Sequence, residues 1–126
     1  MLYIFYMKIK VFADTVCGWC YIGHSRLLKA VGTFKNIAFY FEHSPFQLNP
    51  DMPKEGMNRL NYLKQKFGSK KLSQPMYDNM NIEASKEKLK FNLDSIQVTP
   101  NTQFSHILIQ LAFKKKIGHE ILDIIY

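Results

Sequence analysis

Cysteine is almost absent from this chain of 126 residues: Cys17 and Cys20 are its only two. A structural zinc site normally takes four ligands, offered by a second C-x-x-C or a tight His pair, and the sequence has neither. Cys17, Cys20, His24 and His43 are the best set it could assemble, with His43 alone at the end of a strand, so no metal is expected. Arginine is nearly as scarce. Lys and Arg number 17 against 10 Asp and Glu, a net charge of +7, yet only Arg26 and Arg59 are Arg. Specific nucleic-acid readers rely heavily on Arg. The charge is therefore read as solvated lysine faces, such as Lys70-Lys71 and Lys114-Lys115-Lys116, and no nucleic-acid partner is expected.

Apolar runs long enough to cross a bilayer are missing too, so no membrane partner is expected. The apolar opening from Met1 to Tyr6 lacks a charged n-region and a small-residue cleavage site. It is read as an N-terminal extension of a cytoplasmic protein, with Met7 as an alternative start. In such a reducing compartment structural disulfides are rare and catalytic ones transient.

Against these absences stands one concentrated motif, Cys17-Gly18-Trp19-Cys20, where a strand gives way to a helix. From Lys8 to Asp14, Ile9, Val11 and Ala13 fall on one face and Lys8, Lys10 and Phe12 on the other, a strand pattern. From Trp19 to about Phe34, Cys20, Leu27, Leu28 and Val31 recur at helical spacing, with Lys29 and Lys35 near the negative end of the dipole. Cys17 is thus expected at a helix N-terminus. A free thiol has a pKa of about 8.5 and only the thiolate attacks a disulfide. Lowering that pKa by about three units requires roughly 4 kcal/mol, of which a helix dipole supplies at most about 2. Direct N–H···S hydrogen bonds are expected to contribute the rest. Cys20, one turn in, is expected to be more buried and less acidic, and to resolve a mixed disulfide formed at Cys17. An inert buried pair would leave the intervening Gly18 and Trp19 unexplained.

A second strand, Ile37 to Glu42, completes a βαβ unit, whose strands are expected to be parallel, with the thiols at their C-terminal end. The proline-rich stretch Ser44 to Pro53 reads as a loop. Helices are expected from Asn58 to Phe67, stopped at Gly68; from near Ser73, with Pro75 in the first turn, toward Lys88; and from Thr102, with Phe104, Ile107, Leu108 and Leu111 as its apolar stripe. Phe91 to Pro100 is expected to be irregular, Gly118 to end the third helix, and Glu120 to begin another. Met76 and Met80 are read as packing residues.

Val16-Cys17-Gly18-Trp19-Cys20-Tyr21-Ile22-Gly23, Pro45-Phe46-Gln47-Leu48-Asn49-Pro50-Asp51-Met52-Pro53 with Glu55-Gly56-Met57, Tyr62-Leu63, Lys66-Phe67-Gly68, Thr99-Pro100-Asn101-Thr102 and His106 occur in order along the chain. Together they resemble the FrnE-type branch of the DsbA family. The resemblance implies an α/β, thioredoxin-like fold with an inserted helical subdomain, and thiol-disulfide oxidoreductase or isomerase activity, Cys17 attacking and Cys20 resolving. Expected substrates are proteins or small thiols and disulfides, with no tightly bound cofactor and glutathione as a possible co-substrate. A single domain over 1–126 is expected, divided into a βαβ half (7–44), a loop (45–57) and a helical insertion (58–126). The family usually has Pro where this chain has Gly18, which leaves open whether the site oxidises or reduces. The cis-proline loop and closing ββα segment of the fold have no counterpart here, so the chain is read as an N-terminal fragment, inactive or weakly active alone. Trp19 is a candidate apolar contact for a peptide or glutathione. His24 is a candidate tuner of a thiol, though a solvated helix position is the plainer reading, and His106 is taken as structural. The alternative function is a glutathione-dependent isomerase or transferase like the 2-hydroxychromene-2-carboxylate isomerases of the same fold, which use a single nucleophilic position. A non-catalytic binding module is the third.

Overall fold

The computed structural model describes residues 5–126, so Met1 to Ile4 of the expected extension lie outside the described residues. Phe5 and Tyr6 belong to the first strand. In chain order the elements are β1 (Phe5–Ala13), α1 (Gly18–Gly32), β2 (Ile37–Pro45), β3 (Met57–Asn58), α2 (Arg59–Phe67), α3 (Lys70–Lys86), β4 (Val98–Thr99), α4 (Gln103–Lys114) and α5 (Gly118–Ile125). They divide into two compact units: one extends to Leu48 and resumes at Thr102–Tyr126, the other is Asn49–Asn101. The helical segment expected over 58–126 is therefore split, its last two helices grouping with the strands.

In the first unit β1 and β2 pair in parallel, in register from Phe5 opposite Ile37 to Ala13 opposite Pro45. The alternation in β1 is as expected, with Ile9 and Val11 half-buried and Ala13 buried, and Lys8, Lys10 and Phe12 exposed. Glu42 forms ion pairs with Lys8 and Lys10 across the strands, both lysines being exposed. Those charges lie on the solvated face rather than inside. The core is built on Ile22, Ile109 and Leu122, almost fully buried, together with Ala13 and Ala112.

The stripe expected to bury α4 does not. Phe104 is 77% exposed, and Ile107, Leu108 and Leu111 are exposed as well. Thr102, His106, Ile109 and Ala112 turn inward instead, on an equally regular helical spacing. α4 packs against β2 and α5, and that packing, not the apolar count, selects the buried face. Gly118 also departs from expectation: α4 ends at Lys114, and Gly118 is the first residue of α5. A Cβ at Gly118 would lie 2.4 Å from the Phe113 ring, so any other residue at this corner would have to displace that ring.

In the second unit the Asn58 side chain caps α2, accepting the N–H groups of Leu60 at 3.0 Å and Asn61 at 3.2 Å. The helix ends, as expected, at Gly68, whose φ of 87° lies in the left-handed region. α3 starts earlier than expected. Ser69 Oγ accepts the Leu72 N–H at 3.1 Å and is the cap, while Ser73 lies inside the helix and donates back to the Lys70 carbonyl at 2.8 Å. Pro75 therefore falls in the second turn. Within the segment expected to be irregular, β4 forms a short antiparallel ladder with β3. Met52, Tyr62 and Leu63 make the core with Met57, Phe67 and Tyr77 against them, and Met80 is buried, so Met80 packs as expected.

Candidate active site

β1 delivers the chain to a turn at Asp14, whose carbonyl accepts the Cys17 N–H at 3.2 Å. Cys17 is extended, at φ −97° and ψ 105°, and is the N-cap of α1. Its sulfur replaces the usual capping oxygen and accepts the Cys20 N–H at 3.3 Å. Both cysteines are free and half-buried. Gly18 opens the helix and Trp19, in its first turn, is exposed.

The two thiols are unequal. The Cys17 thiol is lowered to about 6, chiefly by the hydrogen bond from the Cys20 thiol; burial opposes this, and the N–H groups of Cys20 and Trp19 assist it. The Cys20 thiol is pushed up, because its proton is held toward Cys17 and because burial disfavours its anion. Cys20 is the less acidic of the two, as expected, but it is not the more buried: both are half-buried.

Behind the pair lies a group of residues built on Asp14, which no sequence pattern singles out, and on His106, expected to be structural. Asp14 is 1% exposed. Its Oδ2 accepts the Leu48 N–H at 2.8 Å, and its Oδ1 lies 3.0 Å from His106 Nε2. The Tyr126 hydroxyl reaches within 3.5 Å of the Asp14 carbonyl, and its ring stacks on Tyr21 at 4.8 Å. Burial first, then the charges of Cys20, Cys17 and Asp14, push the Tyr126 phenol up, so it stays protonated at neutral pH. Thr15 Oγ1 and Ser105 Oγ, 2.6 Å apart, add a second tie between the turn and α4. The available signal was an acid at the end of an apolar strand, three residues before Cys17. Its partner is 92 residues away, beyond any local pattern.

His24 is not solvated. It is buried, with its ring 5.5 Å from His119 and 6.4 Å from Tyr126 and its Nε2 3.8 Å from Asp123. Burial, then His119, moves it below the usual histidine range, and it is not among the groups that shift either thiol. His43 is also buried, both ring nitrogens lack a hydrogen-bond partner, and burial lowers it to about 4. Among the described residues no three His, Cys, Asp or Glu side chains converge in a group able to hold a metal ion.

The profile of the DSBA-like thioredoxin domain family matches residues 8–124. Among solved structures, a crystal structure described as a probable DsbA oxidoreductase from Streptomyces coelicolor is similar at a TM-score of 0.82 and 28% identity. The match covers 95% of this chain and 52% of that one, so the chain spans about half the length of the relative. No curated protein sequence matches it.

Proposed function

Because the chain belongs to the DSBA-like thioredoxin domain family, we propose that Cys17 and Cys20 carry out thiol-disulfide exchange. One observation carries the reading: Cys17 Sγ occupies the N-cap of α1, accepts the Cys20 N–H at 3.3 Å and ionises near pH 6, so it is thiolate at neutral pH. The Cys17 thiolate attacks one sulfur of a substrate disulfide, forming a mixed disulfide and expelling the other sulfur as a thiolate that takes a proton. Cys20 then loses its proton and attacks Cys17 Sγ. The Cys17–Cys20 bond forms, the second substrate thiol leaves, and the protein is oxidised as the substrate is reduced. Run backwards, the same steps oxidise a substrate dithiol.

Exposed Trp19 offers an apolar surface beside Cys17 for a peptide or glutathione. The ordered motifs from Val16 to His106 support the FrnE-type branch, with cytoplasmic glutathione or protein thiols as exchange partners. Cys20→Ser tests the mechanism. It is expected to accumulate a Cys17–glutathione adduct, visible by intact mass, that native protein releases as its own disulfide; Cys17→Ser is expected to form neither. Continued turnover by Cys20→Ser with glutathione bound would point instead to isomerase or transferase chemistry. No adduct at all would leave a binding role.

A further inference from the structure

We infer that a cavity in the Asn49–Asn101 unit binds a small organic acid, with Arg59 holding its carboxylate and leucine and isoleucine side chains covering its apolar body. The site stands apart from the exchange chemistry proposed for Cys17 and Cys20, because every residue lining it belongs to this unit and both thiols belong to the other. The cavity has a volume of about 380 Å³. Packed interiors leave few voids larger than a water molecule, whereas pockets of roughly 300–1,000 Å³ take small ligands. Three stretches of chain build it: the start of α2, one face of α3, and the segment between α3 and β4. Along α3, Lys70, Gln74, Tyr77 and Asn81 recur at spacings of four and three residues, which puts them on one face.

Arg59 is the first residue of α2, and its backbone N–H donates to the Gln97 carbonyl at 2.8 Å, tying the helix start to the segment before β4. Its guanidinium lies 5.4 Å from the Tyr62 ring and 5.2 Å from the Tyr77 ring, and Nη1 donates to the buried Thr99 Oγ1 at 3.1 Å. These neighbours fix the group in the wall without neutralising it: burial pushes the Tyr77 phenol up, so it stays uncharged at neutral pH. Among the described residues no carboxylate pairs with Arg59, and the acid lining the cavity, Asp94, lies 3.6 Å from Lys70 Nζ instead. A guanidinium has five N–H donors, more than the bond to Thr99 uses, in a planar fork that fits a carboxylate with two parallel bonds. Arg59 and Lys70 against Asp94 leave one positive charge around the cavity, which matches a monocarboxylate better than a phosphate dianion. Leu60, Leu63, Leu93 and Ile96 supply the apolar lining, and Leu60 is left 60% exposed, so a ligand with a short apolar body would cover it.

The test is a titration of the full chain with hexanoate, followed by nitrogen-15 and proton shifts of the backbone amides, with hexanamide and hexyl phosphate as comparisons. Hexanoate is expected to shift Arg59, Leu60, Gln74 and Ile96 with half-saturation at about a millimolar, as suits so small a ligand. Hexanamide, which lacks the charge, is expected to bind at least tenfold more weakly, as is hexanoate to Arg59→Gln; Arg59→Lys, which keeps the charge without the fork, should recover part of that loss. Equal half-saturation for the acid and the amide would overturn the inference, as would unchanged binding by a folded Arg59→Gln or shifts that fall outside the cavity. Tighter binding of hexyl phosphate than of hexanoate would overturn the assignment to a monocarboxylate. Should Arg59→Gln not fold, the comparison of acid with amide on the native chain decides alone.

Discussion

At Cys17 a thiol donor and two amides outweigh the burial that would otherwise keep the sulfur protonated, and all three come from residues within three positions. That locality is why the thiol pair could be read from sequence. The setting of Asp14 could not, because its buried partner is His106, and no periodicity links an acid at a strand end to a histidine on a distant helix. Gly18 is where the local geometry can be tested. It occupies the first position of α1, where proline suits the backbone and the lost N–H has no intrahelical acceptor. The donors to Cys17 Sγ belong to Trp19 and Cys20 and survive the change. Gly18→Pro is expected to stabilise the folded chain by about 0.5–1 kcal/mol by restricting the unfolded chain and, separately, by locking φ between the two sulfurs, to shift the equilibrium with glutathione measurably. Equal equilibrium constants for the native and variant proteins would remove Gly18 from the determinants of redox poise.

Among the elements, β1, α1 and β2 were legible because period-two alternation and a helix start fall next to each other. α3 begins a turn before the expected start because Ser73 and Pro75 resemble a helix start as well as Ser69 does, and only the Ser69 bond to the Leu72 N–H separates them. α4 shows a deeper limit. Hydrophobic periodicity identifies an apolar face but does not say whether anything covers it, and two faces of α4 carry apolar residues at helical spacing. The consequence is measurable: Ile107 is 46% exposed and Ile109 fully buried. Ile109→Ala is expected to cost about 2–5 kcal/mol, by opening a cavity, whereas Ile107→Gln should stay within about 0.5 kcal/mol. Urea unfolding midpoints check both. A large loss in Ile107→Gln would mean that the outward stripe of α4 is covered in solution.

Across the whole molecule, His24, His43, His106 and His119 all belong to the unit built on β1 and β2, and Asn49–Asn101 contains no histidine. Acid should therefore act on the two units unequally. His43 ionises at about 4 in the folded chain because burial opposes its charge, against about 6.5 when unfolded. The folded form stays neutral while the unfolded form takes up a proton. Its contribution is thus complete above pH 6.5 and is lost as the pH falls toward 4, at about 1.4 kcal/mol per pH unit and about 3 kcal/mol in all. Buried His24 shifts in the same direction. Between pH 7 and pH 5, amide exchange corrected for its intrinsic rate should accelerate in β1, β2, α4 and α5, with little change in α2 and α3. His43→Leu, which keeps the volume and removes two unpartnered nitrogens, should flatten that dependence. Equal acceleration in both units, or an unchanged dependence in His43→Leu, would assign the acid sensitivity to groups other than this histidine.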